Sequence, residues 1–258
     1  MKINHLKASI LLFGTYSFAV SVANLFHEFG HALYIWSAGG NVWYDINPFG
    51  TVFGVVQGDI ILGASIYHWG GTLSATFLGI LLLGLLWRRF NLYWAPVVMT
   101  GVVSVLFSGG NLLPGVLFDS SGDATRLMDL GTPRWIILCV ALILLLLGLW
   151  LAARWLVPLT GLHADEGWNK YLIVFLLGFG PYTLIEVVYS ILKQSGWQRA
   201  LFFALLTNLV VVMIALAGKW YTMKVASNTR RIVTLEWRHV LSSVFAGILS
   251  ILFFIFVI

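Results

Sequence analysis

The sequence predicts an all-α polytopic membrane protein of about seven transmembrane helices, with a short β-hairpin or re-entrant segment after the first. Three observations carry this expectation. Of the 258 residues, 60% are hydrophobic and only 10% are charged, a balance far from that of soluble globular domains. Several apolar runs reach the roughly 20 residues that a helix needs to cross a bilayer, where the backbone must satisfy its own hydrogen bonds. The net charge of +5 is small and gathers in a few loops, which suits topology signals and anionic lipid head groups better than nucleic acid. The lipid bilayer is thus an expected partner and nucleic acid is not. Cys139 is the single cysteine and lies inside an apolar run, which excludes an intramolecular disulfide and a thiolate metal site.

The first apolar run covers residues 8–38 and, as one helix rising 1.5 Å per residue, would be about 46 Å long, more than the hydrocarbon is thick. Gly39-Gly40-Asn41 ends it. Residues 42–56 change character, with β-branched and aromatic side chains, several glycines and Asn47-Pro48, and read as a hairpin or re-entrant strand pair. Lys2 and Lys7 ahead of the run, with Ser21-Val22-Ala23 further on, also resemble a secretory signal with a cleavage site. An uncleaved first span is the simpler reading, because cleavage would leave the motif described below on a ragged new end.

A second span covers residues 60–87 and stops at Arg88-Arg89; its run of small residues at 70–76 lets another helix backbone approach closely. The third, residues 93–107, gives way to Ser108-Gly109-Gly110-Asn111-Leu112-Leu113-Pro114-Gly115. Proline and the glycines predict unwinding there, tolerated at membrane depth only against protein or a water-filled cavity. Asp119 and Asp123 follow, then a short helix over residues 124–130 before Gly131-Thr132-Pro133. Further spans at residues 135–156, 171–192, 200–220 and 239–258 complete the seven. Glu186 lies within the fifth and is expected to be a hydrogen-bonded or protonated packing residue. The loop over residues 221–238, with Lys224, Arg230, Arg231 and Arg238, is long and basic and is expected at a head-group surface.

Against this apolar background, Asn24-Leu25-Phe26-His27-Glu28-Phe29-Gly30-His31 places three ionisable side chains in one helical stretch. Ionisable groups inside membrane spans are rare and usually functional. His27 and His31 are one helical turn apart and point to the same side, so both imidazoles can share one metal ion while Glu28 reaches a water bound to it. Spans one and three run in the same direction, which brings these residues to the level where the stretch from Asn111 to Asp123 emerges. A carboxylate from that stretch would complete a catalytic zinc site of two histidines, one acid and one water. Glu28 would then be the general base and later the proton donor to a leaving amine.

Taken together, His27-Glu28-Phe29-Gly30-His31, the small residues of the next span, and Asn111-Leu112-Leu113-Pro114 followed by an aspartate resemble the site-2 protease family of intramembrane zinc metalloproteases. The resemblance covers residues 8–133 and describes a compact relative with no room for a PDZ or other regulatory domain. It implies one Zn2+ per chain, held by His27, His31 and an aspartate, with Glu28 as the catalytic base. It also implies peptide-bond hydrolysis in a membrane-anchored protein substrate, with Asn111 a candidate for holding the substrate backbone. The family's Asn-x-x-Pro is usually followed closely by Asp-Gly and often by an arginine, and here the candidates divide that pattern. Asp119 fits the distance from Pro114, whereas Asp123 fits the spacing to Arg126 and starts the short helix; Asp123 is preferred because compact relatives resemble that form, and Asp119 stands as the alternative ligand.

The expected organisation is a single membrane domain in a cell membrane of prokaryotic type, with a metalloprotease core at residues 1–133 and four additional helices at 134–258 that match no motif. A second reading is a catalytically silent homologue that binds membrane proteins or a metal without cleaving; the intact His27, Glu28 and His31 argue against it. A metal transporter would want polar residues along several spans, and spans four, six and seven offer almost none. On orientation two lines disagree. Most Lys and Arg fall on the N-terminal side, which by the positive-inside rule makes that side cytoplasmic, whereas the family resemblance implies a metal nearer the cytoplasm.

Overall fold

The computed structural model describes residues 3–46, 52–57, 65–86, 91–118, 122–192, 197–225 and 235–256. In chain order these form α1 (Ile3–Ser37), β1 (Asn41–Ile46), β2 (Val52–Gln57), α2 (Ser65–Leu86), a single 3-10 turn (Leu92–Trp94), α3 (Ala95–Phe118), α4 (Asp123–Asp129), α5 (Arg134–Thr160), α6 (Trp168–Leu192), α7 (Trp197–Val225) and α8 (Trp237–Phe256). Six of the helices, α1, α2, α3, α5, α6 and α7, are long and apolar enough to cross a membrane. The seventh expected span corresponds to α8, whose described apolar stretch, Trp237–Leu252, is shorter than the others. Strands β1 and β2 pair antiparallel, with Asn41 opposite Gln57 and Ile46 opposite Val52. Asn47, Pro48, Asp119, Arg230 and Arg231 lie outside the described residues.

The chain packs as two compact units, each drawn from several stretches of sequence. One comprises residues 1–18, 90–99 and 149–251, the other residues 19–89, 100–148 and 252–258. Helices α1, α3, α5 and α8 contribute to both.

The second unit carries the histidine motif. There α1 ends as the sequence requires: Gly39 takes a left-handed φ of 78°, and Gly39 and Gly40 return their N–H groups to Trp36 and Ile35 at 3.0 and 2.9 Å, a Schellman closure that only glycine makes without strain. Helix α2 then crosses α1 with almost no gap. A Cβ on Gly70 would lie 2.7 Å from the carbonyl oxygen of Gly30, and one on Gly30 would collide with Gly70 and Ser74. Ser74 donates to the Phe26 carbonyl at 2.5 Å across the same crossing. Further along, a Cβ on Gly79 would lie 2.6 Å from the Gly101 carbonyl of α3, and Ser108 donates to Thr72 at 3.2 Å. The small residues of α2 are therefore the surfaces by which it meets its neighbours.

The expected break at Pro114 does not occur: α3 is helical through Pro114 to Phe118. Proline costs an interior helix about 3 kcal/mol, but here only one turn follows it. That turn is held by burial, with Leu112, Leu113 and Val116 packed against Ala124, Leu127, Ile137 and Ala141. Burying a side chain of this size contributes about 1.5–3 kcal/mol, enough in sum to offset the proline. The orphan carbonyl of Val116 in the last turn accepts from Arg134 at 2.7 Å, so the loop carrying α4 is closed at its base by α5.

In the first unit, α8 crosses the start of α1 at glycine: a Cβ on Gly247 would lie 2.6 Å from the Gly14 carbonyl. Ser9 donates to Val174 of α6 at 3.2 Å, and Tyr16 packs on Phe179 with ring centroids 4.5 Å apart. The α5–α6 loop is fixed by a polar cluster. Glu166 pairs with His5 at 2.9 Å and accepts from the His163 N–H at 3.2 Å. Tyr171 bridges His163 and Thr222, and the buried Lys219 donates to the carbonyls of Ala164 and Glu166. Burial alone would push the Glu166 carboxyl up, but the His163 and His5 hydrogen bonds and the charges of His5 and Lys170 hold it below its ordinary value.

Stability that depends on ionised Glu166 is therefore fully present above the unfolded value of about 4.3 and is lost as pH falls through the lower folded value. Glu166→Gln should lower the unfolding temperature of the detergent-solubilised protein at pH 7. The deficit should shrink below about pH 4, where the wild-type carboxylate also protonates; a deficit of constant size from pH 7 to pH 3 would show that the charge is not what matters.

Candidate metal centre

Three side-chain atoms from two helices converge in the second unit. Nε2 of His27 and Nε2 of His31 lie 3.3 Å apart. Oδ2 of Asp123 lies 3.2 Å from the first and 3.3 Å from the second. They form a nearly equilateral triangle. A tetrahedral ion with bonds of about 2.0–2.1 Å needs its ligand atoms about 3.3–3.4 Å apart, so the three atoms are already spaced for one ion.

The first two turns of α2 shape this site. Nδ1 of His31 is 2.7 Å from the Tyr67 carbonyl, which can only accept, so Nδ1 carries the hydrogen and Nε2 is turned toward the triangle. One turn on, Gly71 leaves the space that the triangle faces: a Cβ there would lie 2.5 Å from Cε1 and 2.6 Å from Nε2 of His27, and 2.6 Å from Nε2 of His31. Between them, the His68 ring places Nδ1 at 3.3 Å from Oδ1 of Asp123. Phe107 of α3 sets its ring 5.7 Å from that of His27, edge to face. All three histidines are buried, at 5–6% exposure.

Asp123 reaches the site because α4 begins on it. Gly122 adopts φ 151°, a value that side chains rarely take, and the buried Ala124 and Leu127 seat α4 in the core with Leu112 and Val116. Gly115 permits the approach, since a Cβ there would lie 2.7 Å from that of Ala124. Burial would raise the Asp123 carboxyl, but hydrogen bonds from His27, His31 and His68 and the charge of His31 outweigh it and hold the group well below the usual carboxylate range.

Glu28 is half-buried and offers its carboxylate within 4.8 Å of the ligand atoms of His27 and His31. Asp123 thus closes the triangle, and Glu28 stands beside the same two histidines. Asn111 is half-buried on α3, one turn beyond Phe107 and hence on the same helix face. Asp119 lies outside the described residues. Glu186 belongs to the other unit, half-buried on α6 in electrostatic contact with Tyr16 and Tyr182.

Sequence reasoning missed His68 and Asn24. His68 stands two residues before Gly70-Gly71 in an apolar span, and that isolation in a membrane-like segment was the signal available. Asn24, one turn before Glu28, is buried with its amide nitrogen unpaired among the described residues.

The residues fit a metal ion. Three atoms that each present a lone pair cannot sit this close without a cation or proton among them, the Gly71 cradle is empty of side chain, and His31 is oriented through its other nitrogen as metal-bound histidines usually are. His27 departs from that rule, since its Nδ1 is buried without a partner among the described residues. Two imidazoles and a carboxylate suit zinc among the divalent ions. Comparison of the chain with protein-family models, curated proteins and solved structures finds no match, so the functional reading rests on this geometry.

Gly71→Ala should fill the cradle and weaken zinc binding by more than the about 10–100-fold that loss of an outer hydrogen-bond partner costs. Gly110→Ala, whose Cβ would meet nothing within 4 Å, should bind as the wild type does. Equal zinc affinity in the two variants, measured by competition with a chromophoric chelator, would place the metal elsewhere.

Proposed function

We propose that this chain is a multi-pass membrane protein whose centre holds one zinc ion through His27, His31 and Asp123 and hydrolyses peptide bonds of membrane-anchored protein substrates. The observation that carries the reading is the 3.2–3.3 Å triangle of two Nε2 atoms and one carboxylate oxygen with a second acid on its flank. A membrane location is supported by the six long apolar helices. It is also supported by cations laid over aromatic rings near helix ends, with Lys7 5.3 Å from the Trp237 ring and Lys224 4.0 Å from that of Trp220, as at a head-group interface.

Zinc in such a site supplies a water of lowered pKa and polarises a carbonyl. The protein's own part is acid–base work and orientation. Glu28, one residue after a ligand and outside the triangle, takes the proton of the attacking water and returns it to the leaving nitrogen. The hydrogen-bonded Tyr67 carbonyl keeps His31 in the ligating tautomer. Asn111 offers an amide to the substrate backbone, and the β1–β2 pair offers an edge to which an unwound substrate segment can add as a strand.

Glu28→Gln should keep its metal and its fold while cleavage falls by about 10^2–10^4-fold. Comparative membrane proteomics of cells carrying wild type or Glu28→Gln should show intact substrates accumulating only with the variant. A metal-replete wild type with no accumulating protein in any growth condition would favour a silent homologue that binds membrane proteins without cutting them.

A further inference from the structure

We propose that His68 is a positioning residue that holds Asp123 as a one-oxygen ligand and so keeps a coordination position open for water. The inference rests on the zinc reading above and goes beyond it in assigning a role to a side chain outside the ligand set.

The two oxygens of Asp123 have different partners. Oδ2 faces Nε2 of His27 and Nε2 of His31 at 3.2 and 3.3 Å, while Oδ1 faces Nδ1 of His68 at 3.3 Å. A carboxylate oxygen only accepts, so His68 Nδ1 donates. A ligating carboxylate with one oxygen unheld is free to turn and bind a metal through both, as Asp and Glu do at cation sites. In a catalytic zinc site that second oxygen would enter as a fifth ligand and crowd the position the water needs. His68 prevents the turn by giving Oδ1 a partner directed away from the triangle. Its ring is itself firmly anchored. It is 6% exposed, packs edge-on to Tyr67 with centroids 4.8 Å apart, and shares the first turns of α2 with the Tyr67 carbonyl that fixes His31. One stretch of α2 thus orients two of the three ligands, His31 through Tyr67 and Asp123 through His68.

Cobalt(II) put in place of zinc reports the coordination number by its visible absorption, which is strong for four-coordinate and weak for five-coordinate sites. The wild type should give the strong, four-coordinate spectrum. His68→Ala should shift it toward the weak form and loosen cobalt by about 10–100-fold in chelator competition, the usual cost of losing a partner of a ligand. His68→Asn, whose amide nitrogen falls close to the position of Nδ1, should restore both; His68→Gln, whose amide reaches past it, should not. A His68→Ala spectrum and affinity equal to wild type would overturn the role. Should His68→Ala fail to fold, the Asn and Gln variants decide alone, and identical spectra for the two would overturn it equally. A wild type that binds no cobalt would instead defeat the metal reading itself, a failure visible before any variant is made.

Discussion

The close crossing of α1 and α2 at Gly30 and Gly70 is the constraint on which the centre depends. With a side chain at either position the two backbones would move apart, because the nearest atoms are main-chain atoms of the other helix and have nowhere to yield. Everything α2 gives to the site requires that contact: the Tyr67 carbonyl 2.7 Å from His31, the His68 ring against Asp123, and the bare Cα of Gly71 under both Nε2 atoms. Small residues at helix crossings are commonly explained by packing alone. Here they also leave room beside the histidines, since a Cβ on Gly71 of the same run would meet Nε2 of both His27 and His31.

A second constraint comes from the core beneath α4. Asp123 is half-buried, and a carboxylate in apolar surroundings must be compensated or protonated. Three histidines provide compensation, but only because Leu112, Leu113, Val116, Ala124 and Leu127 fix α4 against α3 and Arg134 ties the start of α5 to Val116. Truncating buried leucines such as these costs about 2–5 kcal/mol, and here would also loosen the seat of Asp123. Packing and chemistry are coupled through seven residues of helix.

Much of this was legible in the sequence, for identifiable reasons. The spacing of His27 and His31 fixes a shared helix face because the period is set by backbone geometry. The ends of α1 and α4 follow from Gly39 and Gly131, which take the left-handed φ their positions require. Pro114 misled, because local propensity argued for a break and the burial of Leu112, Leu113 and Val116 lay in tertiary contacts that no local rule contains. Among the described residues six helices are long and apolar enough to cross a membrane, and the described apolar part of α8 is shorter. His68 went unnoticed because its partner lies 55 residues away and a lone histidine has no pattern. The division of Asp123 and Asp119 rested on resemblance, and only the geometry of Gly122 and α4 gives a physical reason why Asp123 reaches the histidines.

The central claim is that His27, His31 and Asp123 act together as one metal-binding unit. Elemental analysis of the purified protein tests it most directly, with His27→Ala, His31→Ala and Asp123→Ala beside the wild type. The account predicts one zinc per wild-type chain and near-complete loss in each of the three variants, with their helical content unchanged. Wild-type protein purified without metal and unable to take up zinc, or an Asp123→Ala variant that keeps a full equivalent, would contradict it.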